Sequence, residues 1–334
     1  MDLSLTEEQT HLVAALADLY GTHASPARVR AAEPGGFDKG LWDQLLALGI
    51  VGMAVDEDED HRASEVDLAL AAEQQGRAVA PAPVIEAQVA ARVLARTSSA
   101  ALAAVTAGER LVTIALHPAA AGVARAVPAA AVADDAIVLD GDRLLLVSLE
   151  GARTPFENLG AMPLADVAIG DATVLATGPA ARDAHEEALD DWLRLTAAAL
   201  VGVGARALEL GVAYVLERKA WGVPIGSFQS VAHSLADAAT AIDGARLLAQ
   251  EAAWAHDVDD PRAAELAALA FAFATEAARD ASYKALHFHG GYGFTLEYDV
   301  QLHWRRARAW AAVWGEPAAA YRRAADARYG QVAS

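Results

Sequence analysis

The 334-residue chain is 54% apolar but only 6% aromatic, carries a formal charge of −19 and has no cysteine. The excess of alanine and small aliphatics favours long, closely packed helices. Without cysteine there are no disulfides, thiolate catalysis, thiolate-bound zinc or iron–sulfur clusters, so redox chemistry would need an organic cofactor or a metal on nitrogen and oxygen ligands. The acidity argues against nucleic acid or an anionic membrane as partner, because neutralising phosphates takes a surplus of Lys and Arg. The opening Met1-Asp2-Leu3-Ser4-Leu5 lacks the basic and apolar regions of a secretory signal. No stretch reaches the roughly 18 uninterrupted apolar residues of a spanning helix, the richest being Leu195 to Val203. The expectation is a cytoplasmic protein.

Thr6-Glu7-Glu8-Gln9 forms a capping box, and Leu12, Ala15, Leu16 and Leu19 then recur at helical spacing. Trp42, Leu45, Leu46 and Leu48 carry a second helix, stopped at Gly49. Two more are predicted at Glu65 to Val79 and Val84 to Leu94, divided by Pro81 and Pro83. Asp56-Glu57-Asp58-Glu59-Asp60 lacks the alternate acids and turn glycine of a calcium loop and reads as a solvated acidic loop.

The pattern changes at Gly108. Residues 111–116, 136–139 and 144–147 are short β-type runs, with Asp140-Gly141 as a hairpin signal, and 167–169 and 173–175 resemble further strands. From Ala184 helical periodicity returns, predicting helices at 184–220, 228–256, 262–288 and 299–327 in an antiparallel four-helix bundle. The expected organisation is a helical N-terminal domain (1–108), a small β domain (109–178) and a helical C-terminal domain (179–334).

Two constellations stand out. Glu217-Arg218-Lys219 ends a helix on two cations, Trp221-Gly222-Val223-Pro224-Ile225-Gly226 forms a tight turn, and Ser227-Phe228-Gln229 opens the next helix. Such cations can simply complement a helix C-terminus, and the turn beside a new helix N-terminus can equally cradle a phosphate. In Gly290-Gly291-Tyr292-Gly293-Phe294-Thr295 the glycines either end a helix or let a ligand approach the backbone, with no βαβ unit around them. His287, His289 and His303 lack the i, i+4 pairing of metal ligands, so no metal is expected, and no G-x-S-x-G nucleophile motif occurs. Arg305-Arg306-Ala307-Arg308 reads as a solvated helix face.

In this order the motifs resemble the acyl-CoA dehydrogenase family along essentially the whole chain. Leu5-Thr6-Glu7-Glu8-Gln9 is similar to the start of that family's first helix, and Gly36-Phe37, Leu41-Trp42 and Leu48-Gly49-Ile50 to its second. Most specific is Glu217-Arg218-Lys219 with Gly222, Pro224-Ile225, Phe228-Gln229 and His233-x-Leu235-Ala236-Asp237. Gly290 to Thr295 with Glu297 and Tyr298 is the second signature.

The resemblance implies a mainly α fold with a small β domain: an N-terminal helical domain, a middle β-barrel and a C-terminal four-helix bundle. It implies FAD as cofactor and acyl-CoA thioesters, of fatty-acid or steroid origin, as substrates. A carboxylate would remove the α-proton while the β-hydride passes to the flavin, an electron-transfer flavoprotein would take the electrons, and FAD would lie across a subunit contact. Carried over residue by residue, Arg218 meets the FAD pyrophosphate with Phe228 and Gln229 near it. Gly290 and Gly291 allow close backbone approach, and His287 offers a hydrogen bond where the family usually has Gln.

The departures concern the base and the β domain. The family's two usual positions for the catalytic Glu are here Trp314 and Trp192; Glu316 and Asp191 lie two and one places off. One residue turns a helical side chain by about 100°, so a neighbour is no automatic substitute, and no residue of this chain is assigned as catalytic. In the β domain Ile114-Ala115-Leu116-His117-Pro118 is similar to one flavin-lining strand, a second has no counterpart, and a truncated barrel is expected. The implied role is that of the short subunit in a heteromer, α2β2, which completes the FAD site of a full-length acyl-CoA dehydrogenase subunit. Actinobacterial enzymes acting on steroid-derived CoA esters are similar in pairing a short chain with a complete one. The alternatives are a self-sufficient homo-oligomer with Asp191 or Glu316 as relocated base, and a flavin-free acyl-CoA-binding scaffold.

Overall fold

The computed structural model describes residues 4–55 and 63–330; the acidic run Asp56 to Asp60 lies outside them. Helix α1 (Glu7–His23) opens as its capping box predicts, with the Thr6 hydroxyl accepting from the Gln9 N–H at 3.1 Å and Gln9 Oε1 accepting from the Thr6 N–H at 3.1 Å. A short α2 (Pro26–Ala32), not foreseen from periodicity, follows with Pro in its first turn. Asp38 caps α3 (Lys39–Ala47) by accepting from the Leu41 N–H at 3.0 Å and is itself clamped by Arg28. Next come α4 (Glu65–Arg77), α5 (Val84–Arg96) and a second unforeseen short helix, α6 (Leu102–Thr106).

Seven strands then form two sheets: β1 (Val112–Ile114), β2 (Val123–Val127), β3 (Asp135–Asp140), β4 (Arg143–Ser148), β5 (Arg153–Pro155), β6 (Ala165–Ala168) and β7 (Ala172–Thr177). One sheet has the order β1-β3-β4-β7 and the other β2-β6-β5. Asp140 pairs with Arg143, so the hairpin turns on Gly141-Asp142, with Gly141 left-handed (φ +62°). Strands β2 and β5 escaped the sequence reading for local reasons. In β2 Ala126 takes a positive φ and donates its N–H to the Asp166 carboxylate at 2.9 Å instead of to the sheet, while β5 is exposed throughout and ends on Pro155.

The C-terminal helices are α7 (Pro179–Glu217), α8 (Gln229–Asp257), α9 (Ala263–Phe288), α10 (Val300–Ala312) and α11 (Pro317–Tyr329). The single helix expected over 299–327 is therefore two. Pro317 at the start of α11 disfavours a helical residue before it, and Glu316 is extended (φ −82°, ψ 156°). By length and composition α7 could cross a membrane, having an 18-residue window of mean hydropathy 1.6, but 56% of that window is buried by protein, as in a core helix.

The chain forms two compact units, one of Met1–Pro26, Glu65–Ala80 and Leu193–Ser334, the other of Ala27–Ser64 and Pro81–Trp192. In the second unit α5 packs on β1, and the buried Gln88 amide donates to the Ile50 carbonyl at 2.7 Å. In the first, α7 lies against α4 and α9 at near-contact of backbones and against side chains of α8. A Cβ on Gly76 would overlap the Ala199 carbonyl, and one on Gly202 the Glu73 carbonyl. Gly204 faces Ile242 and Ala278, and Gly211 faces Leu235 and Ala285, seven residues on in α9 and seven back in α8. Thus α9 runs parallel to α7, while α8 and α4 run antiparallel. A fully buried Arg194–Glu65 pair at 2.9 Å ties α7 to α4, whose first N–H is capped by Asp257 of α8 at 2.8 Å.

Glycine to alanine inside a helix ordinarily stabilises by about 1 kcal/mol. At Gly202 the sign should invert, because the methyl group meets a carbonyl oxygen: Gly202→Ala should destabilise by about 1–3 kcal/mol. Urea denaturation checks this, and an unchanged or raised midpoint would contradict the close approach.

Candidate functional site

The register of α7, α8 and α9 places the end of α7, the start of α8 and the end of α9 at one end of the bundle. Every sequence-predicted cofactor residue lies on these three termini. After α7 the chain makes a two-residue ladder, Lys219-Ala220 against Val223-Pro224, turning on Trp221 and Gly222, both left-handed (φ +50° and +84°). The Ile225 N–H donates to the Arg218 carbonyl at 2.8 Å, which folds the turn back on the helix end. Trp221 is 92% exposed and packs its edge on Phe228, centroids 5.8 Å apart. Arg218 and Lys219 are exposed, and neither side chain has a hydrogen-bond or ion-pair partner among the described residues. Phe228 is the N-cap of α8 with no side-chain cap, and Gln229 is its first residue, so the helix presents uncapped N–H groups beside the two cations.

At the end of α9, His287 is exposed and stacks on Tyr283 at 5.9 Å. Gly290 (φ +62°) and Gly291 open the turn Gly290–Phe294, and a Cβ at either would meet nothing within 4 Å, so both backbones face open space. Gly293 is different in kind: a Cβ there would lie 2.6 Å from the Leu286 carbonyl, and this glycine serves packing.

Sequence reasoning missed the group that joins the two turns. Tyr214, in the last turn of α7, stacks on the His289 ring at 4.1 Å, and Tyr298 closes edge-on to both, at 5.7 Å from Tyr214 and 5.2 Å from His289. His289 Nδ1 bonds the Ala285 carbonyl at 2.7 Å, and burial pushes its imidazole below the ordinary range. The histidines grouped in the sequence are thereby separated in role, for His303 sits in α10 with Nε2 3.1 Å from the Arg77 carbonyl. Burial lowers its pKa as well, and the nearby Arg206 charge acts in the same direction. The only advance signal was Tyr298 itself, inside the second motif.

The arginine cluster of α10 departs from its expected solvated face. Arg306 is 2% exposed, Arg305 donates to Gln301 Oε1 at 2.9 Å, and Arg308 lies over the Trp304 ring at 4.9 Å. The apolar stripe of α10 is narrow, so a basic residue enters the core with its backbone.

The positions expected to carry a base are filled by packed indoles. Trp192 is 2% exposed and donates from Nε1 to Glu86 Oε1 at 3.3 Å. Burial pushes the Glu86 carboxyl up, opposed by that hydrogen bond. Trp314 packs edge-on to Phe271 at 5.4 Å. Of the two neighbouring carboxylates, Asp191 is 1% exposed between Arg92 (3.2 Å) and Arg96 (3.0 Å). Glu316 is gripped by both terminal nitrogens of Arg279, which holds its carboxyl below the usual range.

Comparison with known proteins gives the family and the fold. The acyl-CoA dehydrogenase N-terminal domain matches residues 6–105 and the acyl-CoA dehydrogenase C-terminal domain residues 187–324. The chain is 30% identical to the acyl-CoA dehydrogenase IpdE2 of Mycolicibacterium smegmatis over 96% of its own length and 98% of the relative's. Among solved structures it is similar to the Tcur3481-Tcur3483 steroid ACAD, a G363A variant (TM-score 0.87, 26% identity, 96% of this chain and 98% of that one). The fold also matches the ChsE4-ChsE5 complex of Mycobacterium tuberculosis (TM-score 0.88, 24% identity, full coverage of both chains).

Both His289 and His303 are held below their unfolded pKa of about 6.5. The unfolded chain therefore binds more protons beneath that value, and stability should be full above about pH 6.5 and fall as the pH drops from there towards the folded pKa values. Urea midpoints between about pH 8 and pH 5.5 should show this loss, and a His289→Phe/His303→Asn double variant should flatten it; an equal slope in both proteins would contradict the assignment.

Proposed function

The chain belongs to the acyl-CoA dehydrogenase family, and on that premise we propose that it is the base-lacking subunit of a heteromeric FAD-dependent acyl-CoA dehydrogenase, completing an FAD site whose catalytic carboxylate lies in a full-length partner chain. One observation carries this reading: both positions for the base hold buried or packed tryptophans, and the nearest carboxylates are bound to arginines. A general base must reach its proton with a free lone pair. Asp191 is enclosed between Arg92 and Arg96, and Arg279 holds the Glu316 carboxyl below its usual range, which speaks against a relocated base.

The residues at the end of the bundle fit FAD. Arg218 is a cation without an internal partner in a chain of charge −19, beside the uncapped start of α8, as a pyrophosphate requires. Gln229 would add a side-chain hydrogen bond, Phe228 and Trp221 an apolar wall, and His287 a further polar contact. Gly290 and Gly291 leave the backbone open to a ligand. The Tyr214–His289 stack would hold the two turns in place. FAD, when bound, would accept the hydride from the β-carbon of the substrate. The names of the relatives, one a steroid ACAD, favour a steroid-derived CoA thioester as substrate, with electrons leaving to an electron-transfer flavoprotein. The intact cofactor residues speak against a flavin-free scaffold.

Purified alone, the chain should be colourless and inactive; co-expressed with a full-length neighbour, it should give yellow protein that an acyl-CoA bleaches. Yellow, active protein from this chain alone would overturn the heteromer reading. In the complex, Arg218→Ala should lower the FAD retained through gel filtration by about tenfold, as expected for a lost charge-assisted contact to phosphate. Unchanged occupancy would contradict the role of Arg218.

A further inference from the structure

Away from the three termini just described, but within the same compact unit, α1, α4, α7 and α10 surround a cavity of about 340 Å³. This volume is at the lower end of the range for small-molecule sites. Ala17, Val79, Leu210 and Leu302 supply apolar wall. Two largely buried residues lining it have polar side chains without a protein partner: Tyr20 is 3% exposed and Gln74 9% exposed, and neither side chain has a hydrogen-bond partner among the described residues. Neither the Tyr20 hydroxyl nor the Gln74 carboxamide is a fully enclosed orphan atom; each keeps accessible surface on the cavity, where water, or a ligand that displaces it, pairs them.

The charges on the cavity indicate what that ligand is. Arg77 and Arg206 both line it and share one carboxylate, Glu209, at 2.7 Å and 2.9 Å. Asp299 lines it too, so with Glu209 behind the wall the two cations are matched in number by two anions. Of these ionic residues Arg206 and its partner Glu209 are exposed (46% and 44%) and Arg77 and Asp299 half-buried, whereas Tyr20 and Gln74 are more than nine-tenths covered. His303 also lines the cavity, with its ring nitrogens 3.1 Å and 3.4 Å from the Arg77 and Asp299 carbonyls, to one of which the neutral ring donates. Burial keeps the Tyr20 phenol protonated, hence able to donate.

We propose that this cavity is a binding site for a small uncharged molecule carrying an amide-, ketone- or hydroxyl-type group on an apolar body, with that group bonded to the Tyr20 hydroxyl and the Gln74 carboxamide. A charged ligand would be buried against polar groups that cannot neutralise it.

Benzamide serves as the probe, with benzoate and benzylammonium as charged counterparts of the same shape. Isothermal titration into the full chain, together with its partner chain where the two co-purify, should show saturable binding of benzamide and at least about tenfold weaker binding of both ions. Tyr20→Phe and Gln74→Leu should each weaken benzamide by about tenfold. Without ligand, Tyr20→Phe should melt no lower than the parent, because its hydroxyl has no internal bond to lose, and benzamide should raise the melting point of the parent but not of this variant. Absence of saturable benzamide binding, equal binding of the three probes, or unchanged affinity in both variants would each overturn the proposal.

Discussion

The approach of α7 to its neighbours is the constraint on which the first unit depends. Gly202, Gly204 and Gly211 remove side chains where α4, α8 and α9 would otherwise be held apart. Because the contacts are to backbone on α4, to alanines on α9 and to the Ile242 and Leu235 side chains on α8, axial sliding meets steric resistance at once, and the register of four helices is set together. The parallel run of α7 and α9 follows from it, and so does the meeting of their C-terminal ends. Two motifs about 70 residues apart become one surface.

On that surface the aromatic contacts transmit helix register to loop geometry. A glycine-rich turn has many conformations available, and ordering it costs entropy. The stack of His289 on Tyr214, with Tyr298 across both, anchors the Gly290–Phe294 turn to the last turn of α7. The same helix end sets Arg218 outward. The overall charge of −19 makes this local arrangement more selective, for an anion finds few cations that lack a carboxylate, and Arg218 and Lys219 are adjacent ones.

Local signals with their own physics were readable in the sequence. The capping box at Thr6, the hairpin at Asp140-Gly141 and the long apolar helices all depend on residues within one turn or one strand of each other. Elements stabilised by a distant partner were not. The bulge at Ala126 depends on a carboxylate 40 residues away, and the burial of Arg306 on what packs over α10. The break before α11 was visible in Gly315-Glu316-Pro317, but helical spacing on both sides masked it. At the candidate site the exposed contributors were legible as motifs. Tyr214 and His289 were not, since an aromatic in a helix carries no mark of what it stacks against.

The tryptophan at 192 bears on how firmly the missing base is built into the fold. Its indole is fully enclosed, and its N–H satisfies Glu86, a carboxyl whose pKa burial already raises. A glutamate at this position would leave part of the indole volume unfilled and remove the donor that Glu86 uses. It would also bring a second carboxyl against one that burial already disfavours in its charged form. Next to it Asp191 sits between Arg92 and Arg96, where removing the carboxylate would take an ion-pair partner from the buried Arg92 and leave Arg96 with Glu187 alone. Single substitutions at 191 and 192 therefore work against the packing and the charge balance of this unit. The same argument does not apply at the other end of the bundle, where Arg218, Gln229 and the two open glycines carry no internal load.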